Sequence, residues 1–327
     1  MKMVVLDGHT LNPGDNPWDG LSRLGELTVH ARTGQGEVQE RAREADILFT
    51  NKTRLDRELL GALPRLAFVS VLATGYDVVD VEAAGALGIP VSNVPEYGTD
   101  SVAQFVFALL LELCHGTALH HSAVRHGEWT ARGDFSFWKT PQVELAGKTM
   151  GIVGYGRIGA RVGELARAFG MDVAAYNPRP KNAPDHVTFT SLGDLFATAD
   201  VVSLHCPMTG DNKEFVNQHL LRRMKPWALL INTARGDLVN QNDLVEALTQ
   251  ETLAGAALDV VSPEPIPEHS PLLALPNCLI TPHMAWATQE ARQRLMRQTV
   301  KNVEAFLDGS PVNVVNWKWL PDRGEPL

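Results

Sequence analysis

The sequence has few cysteines, few aromatic residues and no long apolar run. Its three cysteines, Cys114, Cys206 and Cys278, lie far apart, which excludes a disulfide framework and a CxxC metal site. The longest uninterrupted apolar run, Phe105 to Leu111, is far shorter than the roughly 18–20 residues that span a bilayer. The first residues are not typical of a signal peptide. We therefore expect a cytoplasmic protein with reduced thiols, no metal and no membrane partner.

Positive charge is also scarce. The chain has 29 Lys and Arg residues against 38 Asp and Glu residues, for a net charge of −9 and a pI near 5.7. An acidic chain without a long basic run lacks the electrostatic surface that binds DNA, RNA or an anionic membrane. The composition therefore argues against a nucleic-acid partner.

Short β-branched runs alternate with longer amphipathic stretches along the whole chain. Its 327 residues, at roughly 150 per domain, predict about two domains. Short apolar runs that alternate with helices are typical of strands buried on both faces of a parallel sheet, so the pattern predicts an α/β fold with two doubly wound parallel sheets. The predicted strands are Val4–Leu6, Ile47–Thr50, Ala67–Leu72 and Pro90–Val91, then Thr149–Val153, Asp172–Tyr176, Val201–His205, Ala228–Asn232, Ala256–Asp259 and Cys278–Ile280.

Four helical stretches have clear boundaries. Two are short, Glu37–Glu44 and Val81–Leu87. The stretch Ser101–Leu113 is apolar nearly all round, which predicts a buried helix between the domains. The stretch Ala287–Leu307 is amphipathic, and the Gly and Pro residues that follow it are typical of a helix end.

A GxGxxG motif follows the predicted strand Thr149–Val153 and precedes a helix-forming stretch. In this context Gly154 permits a tight turn, and Gly156 lets the backbone approach a pyrophosphate. Gly159 permits close packing of helix on strand, and the N-terminus of the helix offers N–H donors to phosphate oxygens. The motif therefore predicts a dinucleotide-binding loop.

The residues after the next strand bear on the choice between NAD and NADP. A site for NAD usually has an acidic residue here, whereas this chain has Asn177, which cannot repel a 2′-phosphate. Arg179 and Lys181 can pair with that phosphate, or they can be solvated loop residues. The loop therefore favours NADP only slightly over NAD.

Three blocks of the sequence together resemble the D-2-hydroxyacid dehydrogenases. They are the glycine motif, Leu230–Asp237, and the pair of segments Ala257–Pro265 and Thr281–His283. Other segments are similar to the glycerate dehydrogenase (hydroxypyruvate reductase) branch, namely Ala73–Asp77, Asn93–Pro95, Ser101–Gln104, Gly133–Trp138 and Pro282–Trp286.

The resemblance implies two Rossmann- or flavodoxin-like domains with an active site in the cleft between them. Residues 100–286 would form the dinucleotide-binding domain, and residues 1–99 with 287–327 the substrate-binding domain. Members of the family are usually homodimers, so the resemblance also implies a homodimer.

Reduction of a 2-keto acid needs a group that holds the carboxylate and a group that gives a proton to the carbonyl oxygen. The planar guanidinium of Arg235 suits the first task, because it can bind a carboxylate and polarise the adjacent ketone. His283 follows a strand at the carboxyl edge of the sheet, which makes it the candidate acid and base. The resemblance implies the same roles and adds Glu264 as the partner of His283.

Further roles are carried over from the resemblance. The backbone N–H groups of Ala73, Thr74 and Gly75 would hold the substrate carboxylate. Trp138 would reach the substrate site of a neighbouring subunit or pack in the dimer arm. Asp259 would accept a hydrogen bond from the nicotinamide carboxamide. The cofactor-binding positions would be Gly154, Tyr155, Gly156, Arg157, Ile158, Gly159, Asn177, Arg179, Pro207, Thr233 and Asp259.

The function implied by the resemblance is the NAD(P)H-dependent reduction of hydroxypyruvate to D-glycerate and of glyoxylate to glycolate. Two alternatives stay open. One is the same chemistry on a different D-2-hydroxy acid. The other is a non-catalytic dinucleotide sensor that binds protein partners, like the corepressors of this superfamily.

Overall fold

The computed structural model describes residues 1–179 and 184–321. The chain forms two compact units, and we call them unit 1 (Met1–Gly98 with Trp286–Leu327) and unit 2 (Thr99–Ala285). The predicted domain limits differ from these by one residue at each junction. The assignment of substrate to one unit and dinucleotide to the other stays a prediction.

Twelve strands and twelve α-helices are formed by the described residues. The strands are β1 Lys2–Val5, β2 Glu26–Val29, β3 Ile47–Thr50, β4 Phe68–Val71, β5 Val91–Ser92, β6 Thr149–Val153, β7 Asp172–Tyr176, β8 Thr188–Phe189, β9 Val201–Leu204, β10 Leu229–Asn232, β11 Gly255–Leu258 and β12 Cys278–Ile280. The helices are α1 Asp19–Ser22, α2 Val38–Ala42, α3 Arg57–Gly61, α4 Val81–Ala86, α5 Thr99–His115, α6 Thr117–Arg125, α7 Glu128–Arg132, α8 Arg157–Ala168, α9 Leu192–Thr198, α10 Gln218–Leu221, α11 Gln241–Thr249 and α12 Gln289–Leu307.

Each unit contains one parallel sheet. The strand order is β2-β1-β3-β4-β5 in unit 1 and β12-β11-β10-β9-β6-β7-β8 in unit 2. All strand pairs within both sheets are parallel. The predicted α/β class with two doubly wound parallel sheets is confirmed.

Alternate residues of the strands pack into separate cores on the two faces of each sheet. In β3, Ile47 and Phe49 join one core of unit 1, whereas Leu48 joins the other. In β10, Leu230 and Ile231 likewise belong to different cores of unit 2. This alternation follows from the twofold period of a strand, and it explains why the central strands are apolar throughout.

Most predicted elements form, with ends that differ by one or two residues. The bounds of β3, β6, β7 and β12 are as predicted, whereas the other strands and the four predicted helices start or stop slightly differently. α12 begins at Gln289 because the side chain of Thr288 accepts a hydrogen bond from the N–H of Ala291 and caps the helix.

The edge strands of the two sheets differ most from the predictions. β2 and β8 were not predicted, because they are edge strands with mostly exposed or half-buried residues. The prediction that Cys278–Ile280 is buried on both faces was also wrong, because β12 is an edge strand and its residues are only half-buried.

The apolar helix α5 lies in the core of unit 2. Its Val106 and Leu110 are fully buried in the same core as Met150 and Ile152 of β6. No single helix among residues 1–179 and 184–321 is long and apolar enough to cross a membrane. α5 and α6 meet that criterion only as a pair bent by 55°, and a core helix of a globular protein can meet it as well.

The constraint that matters for the site is the common direction of the strands. Because parallel strands end at the same edge, the loops after β6, β7, β9, β10, β11 and β12 all begin at one edge of the sheet of unit 2. Ligands of open α/β sheets bind at this carboxyl edge.

Two adjacent leucines provide a matched test of the packing beside β12. Leu272 and Leu273 lie in the 3₁₀ helix Pro271–Ala274; Leu272 is 1% exposed and Leu273 is 51% exposed. We expect Leu272→Ala to lower the free energy of unfolding by about 2–5 kcal/mol, because it leaves a cavity in the core. Leu273→Ala should change it by less than about 0.5 kcal/mol. Denaturant titration of the two variants measures both values, and equal effects would contradict the described packing.

Candidate active site

The glycine loop lies between β6 and α8. Gly154 has φ of +97°, and a Cβ atom at this position would lie 2.5 Å from the backbone nitrogen of Cys206. A Cβ atom on Gly159 would collide with the carbonyl oxygen of Gly154. At Gly156, by contrast, a Cβ atom would meet nothing within 4 Å. Two glycines are therefore required by packing, and the third keeps the surface of the loop open at the start of α8.

Asn177 holds this loop in place. Its Oδ1 accepts a hydrogen bond from the N–H of Tyr155 at 2.7 Å, and its Nδ2 donates to the carbonyl oxygen of Tyr155 at 3.2 Å. The predicted selectivity residue thus also ties the end of β7 to the glycine loop. Arg179 is exposed two residues later, and Lys181 lies outside the described residues.

The other residues of the predicted loop have distinct surroundings. The ring of Tyr155 packs edge-on against Phe189, with centroids 5.7 Å apart, and Ile158 packs against the same core. Burial raises the pKa of the Tyr155 hydroxyl. Arg157 is exposed at the first position of α8. The side chains of Tyr155 and Ile158 therefore anchor the loop, and its backbone and Arg157 remain at the surface.

A half-buried histidine lies beside the loop after β9. Ser203 Oγ and His205 Nε2 are 2.9 Å apart, and burial lowers the pKa of His205 to about 3. His205 is therefore neutral at physiological pH. Sequence reasoning did not single it out. It precedes Pro207, whose carbonyl oxygen accepts a hydrogen bond from Asn212 Nδ2 at 2.9 Å.

Thr233, after β10, carries a polar atom that fits a bound cofactor. Its Oγ1 is buried and has no hydrogen-bond partner in the described part of the chain. A buried hydroxyl without a partner is costly, which makes it a candidate contact for a ligand. Together with the open surface at Gly156, it indicates that this edge fits a dinucleotide.

Arg235 follows Thr233 in a turn that is held by Asn232. Asn232 is 1% exposed; its Nδ2 donates to the carbonyl oxygen of Arg235 at 2.8 Å, and its Oδ1 accepts from the N–H of Ala234 at 3.0 Å. Arg235 itself donates from Nη1 to the carbonyl oxygen of Ala234 at 2.8 Å. Asn232 was not predicted as a site residue, and its position at the end of a buried strand is the signal that could have identified it.

The Arg235 turn packs closely on the loop that carries Glu264. A Cβ atom on Gly236 would overlap the carbonyl group of Val261. Ser262 Oγ donates to Asp237 Oδ1 at 2.8 Å, and Gln241 Nε2 donates to the carbonyl oxygen of Ser262. These contacts fix the two loops relative to each other.

His283 and Glu264 are in direct contact. His283 Nδ1 lies 2.8 Å from Glu264 Oε2, and the two side chains are 24% and 34% exposed. A carboxylate only accepts hydrogen bonds, so Nδ1 carries the hydrogen. The other carboxylate oxygen, Oε1, accepts from the N–H of Val261 at 3.3 Å. The structure thus brings together the two residues that the sequence proposed as acid–base pair.

Asp259 lies at the end of β11 and is almost fully buried, at 1% exposure. Its carboxylate accepts hydrogen bonds from Thr281 Oγ1 at 2.6 Å and from the N–H groups of Met284 and Ala285 at 2.9 and 2.8 Å. Burial nevertheless raises the pKa of Asp259 above that of an exposed carboxyl group. Its predicted contact with a nicotinamide carboxamide stays a prediction.

The predicted carboxylate-binding loop belongs to unit 1. Thr74 Oγ1 donates to the carbonyl oxygen of Val94 at 2.8 Å, and Asn93 Nδ2 donates to that of Thr74 at 2.7 Å. The N–H groups of Ala73, Thr74 and Gly75 donate no hydrogen bond within residues 1–179 and 184–321. The loop is therefore fixed through its carbonyl and hydroxyl groups, with its backbone donors available to an anion.

Two further predictions concern Trp138 and metals. Trp138 is 67% exposed in the segment after α7. Among the residues that the structure describes, no three His, Cys, Asp or Glu side chains form a group that could hold a metal ion.

Known proteins similar to this chain were found by sequence and by structure. The hydroxypyruvate reductase of Blautia hydrogenotrophica is 49% identical over 97% of this chain and 100% of its own length. The glycerate dehydrogenase of Methylorubrum extorquens is 40% identical over 85% of this chain and 88% of its own length. The crystal structure of an NADPH-dependent glyoxylate/hydroxypyruvate reductase from Sinorhizobium meliloti, in complex with NADP and malonate, has a TM-score of 0.84 at 29% identity and covers 99% of both chains.

The family model for the NAD binding domain of D-isomer specific 2-hydroxyacid dehydrogenases matches residues 107–285, more than half of the chain. With relatives that are at least 40% identical over most of their length, this match confirms the resemblance seen in the motifs. The chain belongs to the D-isomer specific 2-hydroxyacid dehydrogenase family.

Proposed function

We propose that this protein is an NAD(P)H-dependent reductase of small 2-keto acids that converts hydroxypyruvate to D-glycerate and glyoxylate to glycolate. The observation that carries the proposal is the contact of His283 with Glu264 at the carboxyl edge where the glycine loop and Arg235 also lie. The similarity to a hydroxypyruvate reductase, a glycerate dehydrogenase and several glyoxylate reductases supports this substrate class.

Arg235 is the group that we assign to the substrate carboxylate. Its guanidinium can form two parallel hydrogen bonds with a carboxylate, which fixes the orientation of the adjacent ketone. Asn232 and the packing of Gly236 on Val261 keep the turn in one conformation. The substrate is therefore oriented before the chemical step.

His283 is the proton donor in this proposal. Glu264 accepts the Nδ1 hydrogen, which leaves Nε2 as the atom that gives a proton to the carbonyl oxygen during reduction and takes it back during oxidation. The glycine loop and Thr233 would hold NAD(P)H, which would supply the hydride. Glu264 also fixes the tautomer and the orientation of the imidazole before the transfer.

We further propose that the cofactor is NADP in slight preference to NAD. Asn177 carries no charge to repel a 2′-phosphate, and Arg179 is exposed on the same loop. Two structurally similar proteins, 29% and 31% identical to this chain, form complexes with NADP and NADPH, which supports this preference.

Homodimerisation and a cytoplasmic location belong to the proposal as well. The segment from α7 to residue 138 exposes three aromatic side chains, with Trp129 at 47%, Phe135 at 94% and Trp138 at 67% exposure. Exposed aromatic residues in one segment are typical of a protein interface. We assign this segment to contact with a second copy of the chain.

The net charge of −9 supports the absence of a nucleic-acid partner.

Two other functions make different predictions. The same fold and residues could act on another D-2-hydroxy acid, because the side chain of the substrate is recognised by neither Arg235 nor His283. A dinucleotide sensor that binds protein partners would retain the cofactor site and turn over very slowly. Turnover of a keto acid, and not the presence of His283 and Glu264, separates an enzyme from a sensor.

A panel of 2-keto acids tested with both reduced cofactors decides among these functions. We expect loss of NADPH absorbance with hydroxypyruvate and glyoxylate at a higher kcat/KM than with pyruvate or larger keto acids. Oxidation of D-glycerate and not L-glycerate should be measurable in the reverse direction. A protein that binds NADPH but reduces none of the acids would contradict the proposed enzyme and favour the sensor.

Replacement of the proton donor should affect the chemical step. We expect His283→Ala to lower kcat by about 10²–10⁴-fold, because proton donation acts in the transition state. The Kd for NADPH should change little. His269→Ala, at an exposed histidine of the same unit, is the matched control and should retain activity. A wild-type kcat in His283→Ala, with chemistry rate-limiting, would remove His283 from this role.

Replacement of Arg179 tests the cofactor preference. Arg179→Ala should raise the KM for NADPH by roughly tenfold to a hundredfold and leave the KM for NADH nearly unchanged, because a charge-assisted pair with the 2′-phosphate is lost. Arg222→Ala removes another exposed arginine of unit 2 and serves as the control. If the ratio of the two KM values is the same in Arg179→Ala as in wild type, Arg179 does not select the cofactor.

A further inference from the structure

The backbone of His283 has an unusual conformation. Its φ is +52°, in the left-handed region that residues other than glycine rarely adopt. Such a conformation persists only where the surrounding structure holds it. The residues on both sides of His283 therefore have to be fixed by contacts that compensate the strain.

Asp259 makes those contacts. Its carboxylate accepts the Thr281 hydroxyl on one side of His283 and the N–H groups of Met284 and Ala285 on the other. Its carbonyl oxygen accepts the N–H of His283 itself at 2.8 Å. One buried residue is thus bonded to four positions of a five-residue segment.

We propose that Asp259 and Thr281 are positioning residues that hold His283 against Glu264. This role rests on the proposed function, because it assigns the two residues to the proton donor of the reaction. It differs from the predicted contact of Asp259 with the nicotinamide carboxamide, since the bonds described here join Asp259 to the chain itself.

On the N-terminal side of His283, the hydroxyl of Thr281 donates the hydrogen bond to the Asp259 carboxylate. Pro282 has no N–H group, and the N–H of His283 is already used by the carbonyl oxygens of Asp259 and Thr281. The hydroxyl of Thr281 is therefore the donor that reaches the carboxylate from this side, at 2.6 Å. A buried carboxylate that loses such a donor is poorly compensated, and the segment then relaxes.

The test compares three threonine variants. Thr281→Val removes the hydroxyl at nearly constant shape, Thr281→Ser retains it, and Thr198→Val removes a hydroxyl that bonds the carbonyl oxygen of Asp194. We expect Thr281→Val to lower kcat by about tenfold to a hundredfold, because small displacements of a catalytic group have effects of this size. The Kd for NADPH should stay within about twofold. Thr281→Ser should restore kcat, and Thr198→Val should leave it unchanged.

A second measurement does not depend on activity. In protein labelled with ¹⁵N-histidine, the imidazole signals of His283, assigned with His283→Gln, should shift in Thr281→Val without any ligand and remain in place in Thr281→Ser. Thermal unfolding checks that each variant is folded. If Thr281→Val does not fold, Asp259→Asn takes its place, and it should shift the same imidazole signals because one acceptor oxygen becomes a donor.

The outcomes separate the two proposals. A wild-type protein that reduces no keto acid would overturn the proposed function, while the imidazole signals would still decide whether Thr281 and Asp259 position His283. Unchanged kcat and unchanged His283 signals in Thr281→Val would overturn the positioning role. A rise in the Kd for NADPH as large as the fall in kcat would also overturn it, and would assign the residues to cofactor binding.

Discussion

The parallel direction of the strands is the constraint on which the site depends. In a parallel sheet the loop that follows each strand begins at the same edge. Residues far apart in the sequence therefore lie close together at that edge. Gly154, Thr233 and His283 follow three different strands of one sheet. The glycine loop, the Arg235 turn and His283 are therefore brought to one edge by topology, and local contacts only have to refine their positions.

That refinement is made mainly by hydrogen bonds from side chains to backbone. Asn177 fixes the glycine loop, Asn232 fixes the Arg235 turn, and Asp259 fixes the segment around His283. Each of these residues follows or ends a strand; Asn232 and Asp259 are each 1% exposed, and Asn177 is half-buried. A short polar side chain at such a position has one geometry in which its bonds are satisfied, and the loop adopts it.

Much of the fold could be predicted from the sequence. The central strands are short apolar runs, and the glycine motif between a strand and a helix predicts a dinucleotide-binding loop. The edge strands β2 and β8 could not be predicted in the same way, since half-exposed residues carry no such pattern. Arg235 and His283 were predicted as catalytic residues from their residue type, their position after a strand and the resemblance to the family, which also added Glu264. Among their supports, Asn232 could have been identified from its position at the end of a buried strand, whereas Ser262 could not, because it bonds to Asp237, whose position depends on the folded loops.

The bond pair between Asn177 and the backbone of Tyr155 links position 177, where sites for NAD usually have an acidic residue, to the shape of the glycine loop. An amide both donates and accepts, so it can satisfy the N–H and the carbonyl group of the same residue. A carboxylate at this position would keep the bond to the N–H and would face the carbonyl oxygen with a negative charge. In this chain an evolutionary change of position 177 to the acidic residue common in NAD sites therefore carries a cost in loop stability, and adaptation to a different cofactor is easier through residues that do not support the loop.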